Sequence, residues 1–401
     1  MKILTIFSRA SSIHFQVWNM PGDTRILNGR ILGIGIQDAL LEYYAHGVYH
    51  SHRIPLNDHA DAVQSIVGIL IDDNLNITHS ITEIRVVTYF VPHGGTIDTA
   101  LVPLSDENIS KIRNAISLSF NKNASALAAF YALHHQLPSA AHIGAVDTAF
   151  HQTMEPMAFL YGLPYSYYDT MGVRKYGFYG IVHQEAVNQA CAVLNTSSQD
   201  KRVIVCHVDN DISICAVQNG FCIDVSNGFS QNEGPVMATR CGSCDPTVVD
   251  YLVTHEGMSL DETIYLLNAR SGLTGLCGCR RDMRDLPYLI ESGNSQAKLA
   301  FDMQIYSIQK YIGAYIAAMR GVDTIVFTGE AAVNLPDMRA DILSCFDYLS
   351  IKIDSNTNMN RTYQTSIISS VDSAVDIVVA PIEIDRTIAQ YTYSFFRTNN
   401  V

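Results

Sequence analysis

Charge is what this 401-residue sequence has little of: 16% of its residues are Asp, Glu, Lys or Arg, against about 25% in an ordinary soluble chain. Ser, Thr, Asn, Gln and Tyr must therefore cover much of its surface. Positive charge is scarcer still, with 26 Lys and Arg against 39 Asp and Glu and a formal net charge of −13. With no basic run, the chain is a poor match for nucleic acid or an anionic membrane, although a local site can still hold an anion. Long apolar runs are also missing. Ser65–Ile71 and Tyr311–Met319 are the sort found in core helices, well short of the roughly 20 residues that span a bilayer. The opening Met1–Ser8 has one Lys and a short apolar stretch, and it reads as a first β-strand rather than a signal peptide. Nine cysteines, an odd number without a secretion signal, fit reduced cytoplasmic thiols better than a disulfide framework. What is plentiful is apolar content, 48%, enough at this length for two domains that each bury a core.

The apolar spacing alternates between strand and helix periods. Lys2–Ser8 and His14–Met20 read as strands joined to a turn at Asn19–Asp23, His59–Asp72 as a helix, and Ile84–Val91 as a strand. Helices over Asp106–Leu118 and Ala124–His135 precede a buried strand, Ile143–Val146, that ends at Asp147. The style then repeats: a helix over Gln184–Leu194, strands at Arg202–Val208, Ser213–Val217 and Phe221–Val225, and an Asn219-Gly220 hairpin signal. Helices follow at Pro246–Thr254, Leu260–Asn268 and Gln296–Met319, with strands at Thr324–Thr328 and Val375–Ala380 and a last helix near Thr387–Phe396. Such repetition predicts a duplicated α/β fold with an interdomain cleft and a short hinge. Asn356–Thr365, rich in Asn and Thr, is the candidate mobile loop.

Seven segments carry a resemblance. They are Asp147–Met154, Tyr161–Tyr167, Gly172–Phe178, Ala238–Arg240 with Asp245-Pro246, Ser271–Leu273, Asp282–Arg284 and Phe327–Gly329. In this order they resemble the acetate and propionate kinase (acetokinase) family over nearly the whole chain. The resemblance implies a duplicated actin-like, sugar-kinase and Hsp70-type (ribonuclease H-like) α/β fold, two domains around a cleft, and a homodimer. It implies a domain of residues 1–147 plus 384–401 and a nucleotide-binding and dimerisation domain of residues 148–383. The family exchanges a phosphoryl group between ATP and a short carboxylate, giving ADP and an acyl phosphate. That chemistry needs positive charge, Mg²⁺ and close backbone approach to phosphate.

Matched position by position, the resemblance assigns Asp147 to Mg²⁺ and Arg240 to the transferring phosphoryl group, and it puts Lys122 where a histidine would stand. Ser12, Asn210, Asp282, Arg284, Gly329 and Asn334 fall at nucleotide contacts; Pro92, Asn121, Phe178 and Gln231 fall at the carboxylate pocket. Asp147 and Arg240 could equally be a salt bridge bracing the cleft.

Other positions depart from the family pattern. An opening Asn-x-Gly-Ser-Ser-Ser is here Phe7–Ser12, and a second phosphoryl-facing arginine is Phe90, which offers neither charge nor bidentate donors. A Phe-His-Gly has become Phe178-Tyr179-Gly180. The phosphate loop His-Leu-Gly-Asn-Gly-Ala-Ser reads His207-Val-Asp209-Asn210-Asp211-Ile-Ser213, with aspartates for both glycines. Glycine allows backbone amides to reach phosphate oxygens. A carboxylate about 4 Å from a phosphate charge instead costs on the order of 1 kcal/mol in water and about 4 at an effective dielectric near 20. Glu330 follows Gly329 where the family has further glycines, and Pro-Thr-Asn-Glu-Glu has become Pro381–Asp385. Asn121 and Gln231 replace apolar walls, weakening a pocket in which each buried CH₂ is worth about 0.8 kcal/mol.

These departures predict severely impaired phosphotransfer. The alternatives are an active carboxylate kinase with an altered donor or substrate, needing a cation at Asp209 and Asp211, or a non-catalytic partner of a paralogous kinase. Asp209 and Asp211 read either as a divalent-cation set with Asp147 or, preferably, as a polar turn. Cys241, Cys244, Cys277 and Cys279 have part of a zinc spacing, but small buried thiols, a redox pair aside, are the preferred reading.

Overall fold

The computed structural model describes residues 1–118, 122–278, 286–360 and 363–399. Contacts divide the chain into two compact units, Met1–Gln152 with Glu383–Val401, and Thr153–Ile382.

In the first unit, β1 (Lys2–Arg9), β2 (Ser12–Asn19), β3 (Thr24–Leu32), β4 (Ile36–Ala45), β5 (Val48–Leu56), β6 (Ile84–Val91), β7 (Leu101–Pro103) and β8 (Ala141–Val146) form one sheet. Its order is β5-β4-β3-β2-β1-β6-β8-β7. β1, β6 and β8 run parallel, and the meander β1 to β5 is antiparallel. In the second unit, β9 (Arg202–Val208), β10 (Ile212–Gln218), β11 (Phe221–Val225), β12 (Thr324–Thr328), β13 (Ser366–Ile367) and β14 (Asp376–Val379) are ordered β11-β10-β9-β12-β14-β13. Strip β4 and β5 from the first sheet and the two orders coincide, each closing on a short antiparallel edge strand.

The sequence accounts for most of this. β12 is buried at every position, as a strand flanked by parallel neighbours must be. Leu4, Ile6, Phe15 and Leu27 fill the first core and Ile204, Ile214, Ile325 and Ile377 the second. The helix Ser295–Ala318 buries Ile305, Ile308 and Ile312 at helical spacing. Among the described residues no helix is long and apolar enough to cross a membrane.

Three local expectations are corrected. Residues 24–56, given no elements by the sequence reading, are three strands. The predicted helix Asp106–Leu118 ends at Asn114. The candidate mobile loop begins as a helix, Ser355–Met359, because Asp354 caps it through the Thr357 amide (2.8 Å) and buried Asn358 binds Arg339 (2.8 Å).

Candidate active site

In doubly wound sheets ligands collect beyond the carboxyl ends of the parallel strands, and most of the described candidate residues lie there. Within the first unit, Asp147 follows β8, is 3% exposed, and donates its amide to Val91 at the end of β6 (3.0 Å). Pro92 and His93 follow β6. His93 is tied to Asn123, whose Oδ1 accepts the His93 amide (3.2 Å) and whose Nδ2 donates to the His93 carbonyl (2.7 Å). Lys122, exposed at the start of the helix Lys122–Gln136, is thereby held near the β6 end. Ser12 opens β2 opposite Arg9. Burial lowers the His93 pKa to about 4, so its ring is neutral at physiological pH.

Two replaced positions meet here. Phe7 and Phe90 stack at 4.9 Å between centroids and 15° between planes, one step beyond the Ile6–Tyr89 register of β1 and β6. An apolar pair stands where the sequence pattern anticipated a polar side chain and an arginine.

In the second unit, the β9–β10 turn is closed upon itself. The Asp209 amide donates to the Asp211 carbonyl (3.1 Å), and the Asn210 amide to the Asp209 carboxylate (2.7 Å). Two donors of the loop are thus already used. The Asn210 carbonyl accepts from Ala238 (2.9 Å), which draws the Arg240 segment alongside. Arg240 Nη1 lies 2.7 Å from Asp211 Oδ1, with side chains 16% and 33% exposed. Its Nη2 reaches Gln231 Oε1 at 3.4 Å.

The other Asp211 oxygen accepts from the Tyr179 hydroxyl (2.9 Å), and the Tyr179 ring stacks on His207 at 4.8 Å. Tyr179 takes φ +62 as it leads into the helix Gly180–Val193, a conformation uncommon for a bulky residue. Burial lowers the His207 pKa, against the opposing pull of Asp209 and Asp211. Buried Phe178 precedes Tyr179. Gly329 packs against the β9 end so closely that a Cβ would lie 2.5 Å from the Val208 carbonyl oxygen. Asn334 turns its amide back to the Glu330 carbonyl (2.9 Å).

The structure therefore gathers Pro92, Lys122 and Asp147 in one unit, and Asn210, Gln231 and Arg240 in the other. Asn121, Asp282, Arg284 and Cys279 lie outside the described residues. Among the described residues of its own unit, Arg240 pairs with Asp211. Cys241, Cys244 and Cys277 form no cluster of metal-ligating atoms among the described residues. The Tyr179–Asp211 and Phe7–Phe90 contacts were not anticipated from sequence, since nothing in spacing signals that two altered positions touch.

Buried Asp147 suits a Mg²⁺ ligand by chemistry and position. The 209–211 turn does not suit nucleotide phosphates: two of its amides are engaged internally and it presents two carboxylates.

Comparison with known proteins agrees in both sequence and structure. A family model described as "Acetokinase family" matches residues 2–390. The acetate kinase of Thermoanaerobacterium thermosaccharolyticum is 36% identical over 393 residues, covering 98% of each chain. The crystal structure of Porphyromonas gingivalis acetate kinase superposes with a TM-score of 0.93 at 33% identity, covering 98% of this chain and 99% of that one. A propionate kinase from Francisella tularensis gives 0.89 at 28%, covering 97% and 98%. The fold is the duplicated actin-like one of those kinases.

Proposed function

The chain belongs to the acetokinase family, and from that premise we propose that it is a member whose phosphoryl-transfer site is filled by its own side chains. Exchange of phosphate between ATP and acetate or propionate is severely impaired as a result. The observation that carries this reading is the Arg240–Asp211 ion pair at 2.7 Å. By its place in the family motif Arg240 would stabilise charge on the transferring group, a contribution that depends on donors aimed at that charge. Here the nearest negative charge is a covalently attached carboxylate that cannot diffuse away.

Support comes from two further features. The 209–211 turn spends amides on itself, and the Phe7–Phe90 stack supplies no donor. Mg²⁺, where bound, would be held by Asp147 and would offset charge on a phosphoryl group. Lys122, as a point charge, replaces a histidine. Pro92 in the first unit and Phe178 in the second each keep an apolar side chain at the position the family motif gives the acid, and Gln231 turns to Arg240.

Trapping acyl phosphate as the hydroxamate, from Mg·ATP with acetate or propionate, tests the reading. We expect a rate at least about 10²-fold below that of an ordinary family kinase assayed alongside, the scale of losing one oriented donor in such a site. A rate within tenfold of that kinase contradicts it.

A further inference from the structure

Residues 234–243, which carry Arg240, form a loop closed at its neck. Ser243 donates its amide to the Gly234 carbonyl (2.9 Å), and its hydroxyl accepts the Gly234 amide (3.1 Å). Gly242 has φ +73, and a Cβ there would lie 2.7 Å from the carbonyl oxygens of both Gly234 and Pro235, so only glycine permits so close a return. A cavity of about 280 Å³ opens beside this neck, within the second unit. Val236, Ser243, Ser307, Lys310, Tyr311 and Ala314 line it, the last four from the helix Ser295–Ala318.

Most hydroxyl and thiol protons of this lining are already committed. The Ser307 hydroxyl accepts the Val236 amide (3.1 Å) and donates to the Gln304 carbonyl (2.7 Å). Cys241, also at the wall, donates its thiol proton to the Gly242 carbonyl (3.0 Å). The Ser243 and Tyr311 hydroxyls, however, share a single hydrogen bond (3.1 Å). Each carries one proton, so whichever oxygen donates to the other, one hydroxyl proton is left over. Burial pushes the Tyr311 pKa up, which keeps its hydroxyl protonated at physiological pH. Lys310 adds its ammonium donors; among the described residues it forms no ion pair, and its Nζ lies 5.7 Å from the centroid of the Tyr306 ring. None of the lining residues is acidic. In a chain of net charge −13, this cavity therefore offers positive charge and a spare donor.

We propose that the cavity is a binding site for a small oxyanion, a short carboxylate or inorganic phosphate, held by Lys310 and by the spare hydroxyl proton of the Ser243–Tyr311 pair. Lys310 supplies the charge, and a hydrogen bond between an ionised and a neutral group is stronger than one between two neutral groups. Val236 and Ala314 give a short alkyl chain an apolar wall. The anion would sit at the neck of the loop, apart from the Arg240 guanidinium, which is engaged by Asp211. The inference is independent of whether the chain transfers phosphate, because it concerns binding alone.

The test is separate titration of propionate and of inorganic phosphate with the full-length protein, without nucleotide or Mg²⁺, followed by ligand-detected carbon-13 and phosphorus-31 NMR. Saturable binding of at least one anion is expected, and whichever binds more tightly identifies the source. Lys310→Met, shown to be folded by its thermal melt, should bind at least about tenfold more weakly. Tyr311→Phe alone leaves the Ser243 proton and should stay within about threefold of wild type; combined with Ser243→Ala it should lose at least about tenfold. Arg240→Ala should bind as wild type does. Absence of saturable binding by either anion overturns the proposal, as does equal binding by wild type and Lys310→Met. Loss of binding in Arg240→Ala would also overturn it, by placing the anion at the Arg240 guanidinium instead.

Discussion

Asp211 shows how much one side chain alters in this molecule. A glycine there would offer no side-chain acceptor to either Arg240 or the Tyr179 hydroxyl; the carboxylate engages both, at 2.7 and 2.9 Å. The sequence announced the charge of Asp209 and Asp211 but not its destination, because partner choice depends on the return of the chain at Ala238–Arg240, about thirty residues on. His93 offers a prediction at the same scale. Its folded pKa is about 4, against about 6.5 in an unfolded chain. Between those values the unfolded state takes up a proton that the folded state refuses. Stability is therefore intact above about pH 6.5 and falls as the pH drops toward 4, by up to about 3 kcal/mol. Asp385, raised to about 6 by burial, works in the opposite direction, so the wild type must be compared with a variant. Urea midpoints at pH 7 and pH 4.5 should fall further for wild type than for His93→Gln; equal falls would remove His93 as the cause.

At the scale of elements, strands flanked on both faces declared themselves. Arg202–Val208, Thr324–Thr328 and Ile84–Val91 are continuous β-branched runs, and their bounds in the structure are those read from sequence. The meander β3–β5 did not. Val48–Leu56 is mostly exposed and carries four polar or charged residues in a row, His50-Ser51-His52-Arg53, so it lacks the alternation that marks a half-buried strand. Asn356–Met359 misled in the opposite sense: Asp354 caps it through the Thr357 amide and Asn358 binds Arg339, so it is helical. Pairing between elements was likewise invisible, and the Phe7–Phe90 stack across β1 and β6 is the clearest case. A double-mutant cycle of Phe7→Ala and Phe90→Ala, read by urea unfolding, should give a coupling of about 0.5–1.5 kcal/mol. Additive losses would mean that the two rings are merely neighbours.

On the scale of the whole molecule, duplication is the organising fact. Each sheet places its first two strands in an antiparallel hairpin, and the two turns, residues 9–12 and 209–211, occupy equivalent places in the repeat. Both are altered relative to the pattern the family resemblance supplies, and in each unit the changed side chains touch one another: Phe7 with Phe90, Tyr179 with Asp211. Under the proposed function, these mutually satisfied replacements rebuild the site around internal contacts, and part of the net charge of −13 falls on Asp209 and Asp211 where the family's phosphate loop has glycines. Calorimetric titration of Mg·ADP into the wild type and into Asp209→Gly/Asp211→Gly tests this most directly. The account predicts little or no binding to the wild type and at least about tenfold tighter binding to the double variant, a gain of about 1.4 kcal/mol or more. Wild-type protein that binds Mg·ADP as tightly as the double variant would contradict it.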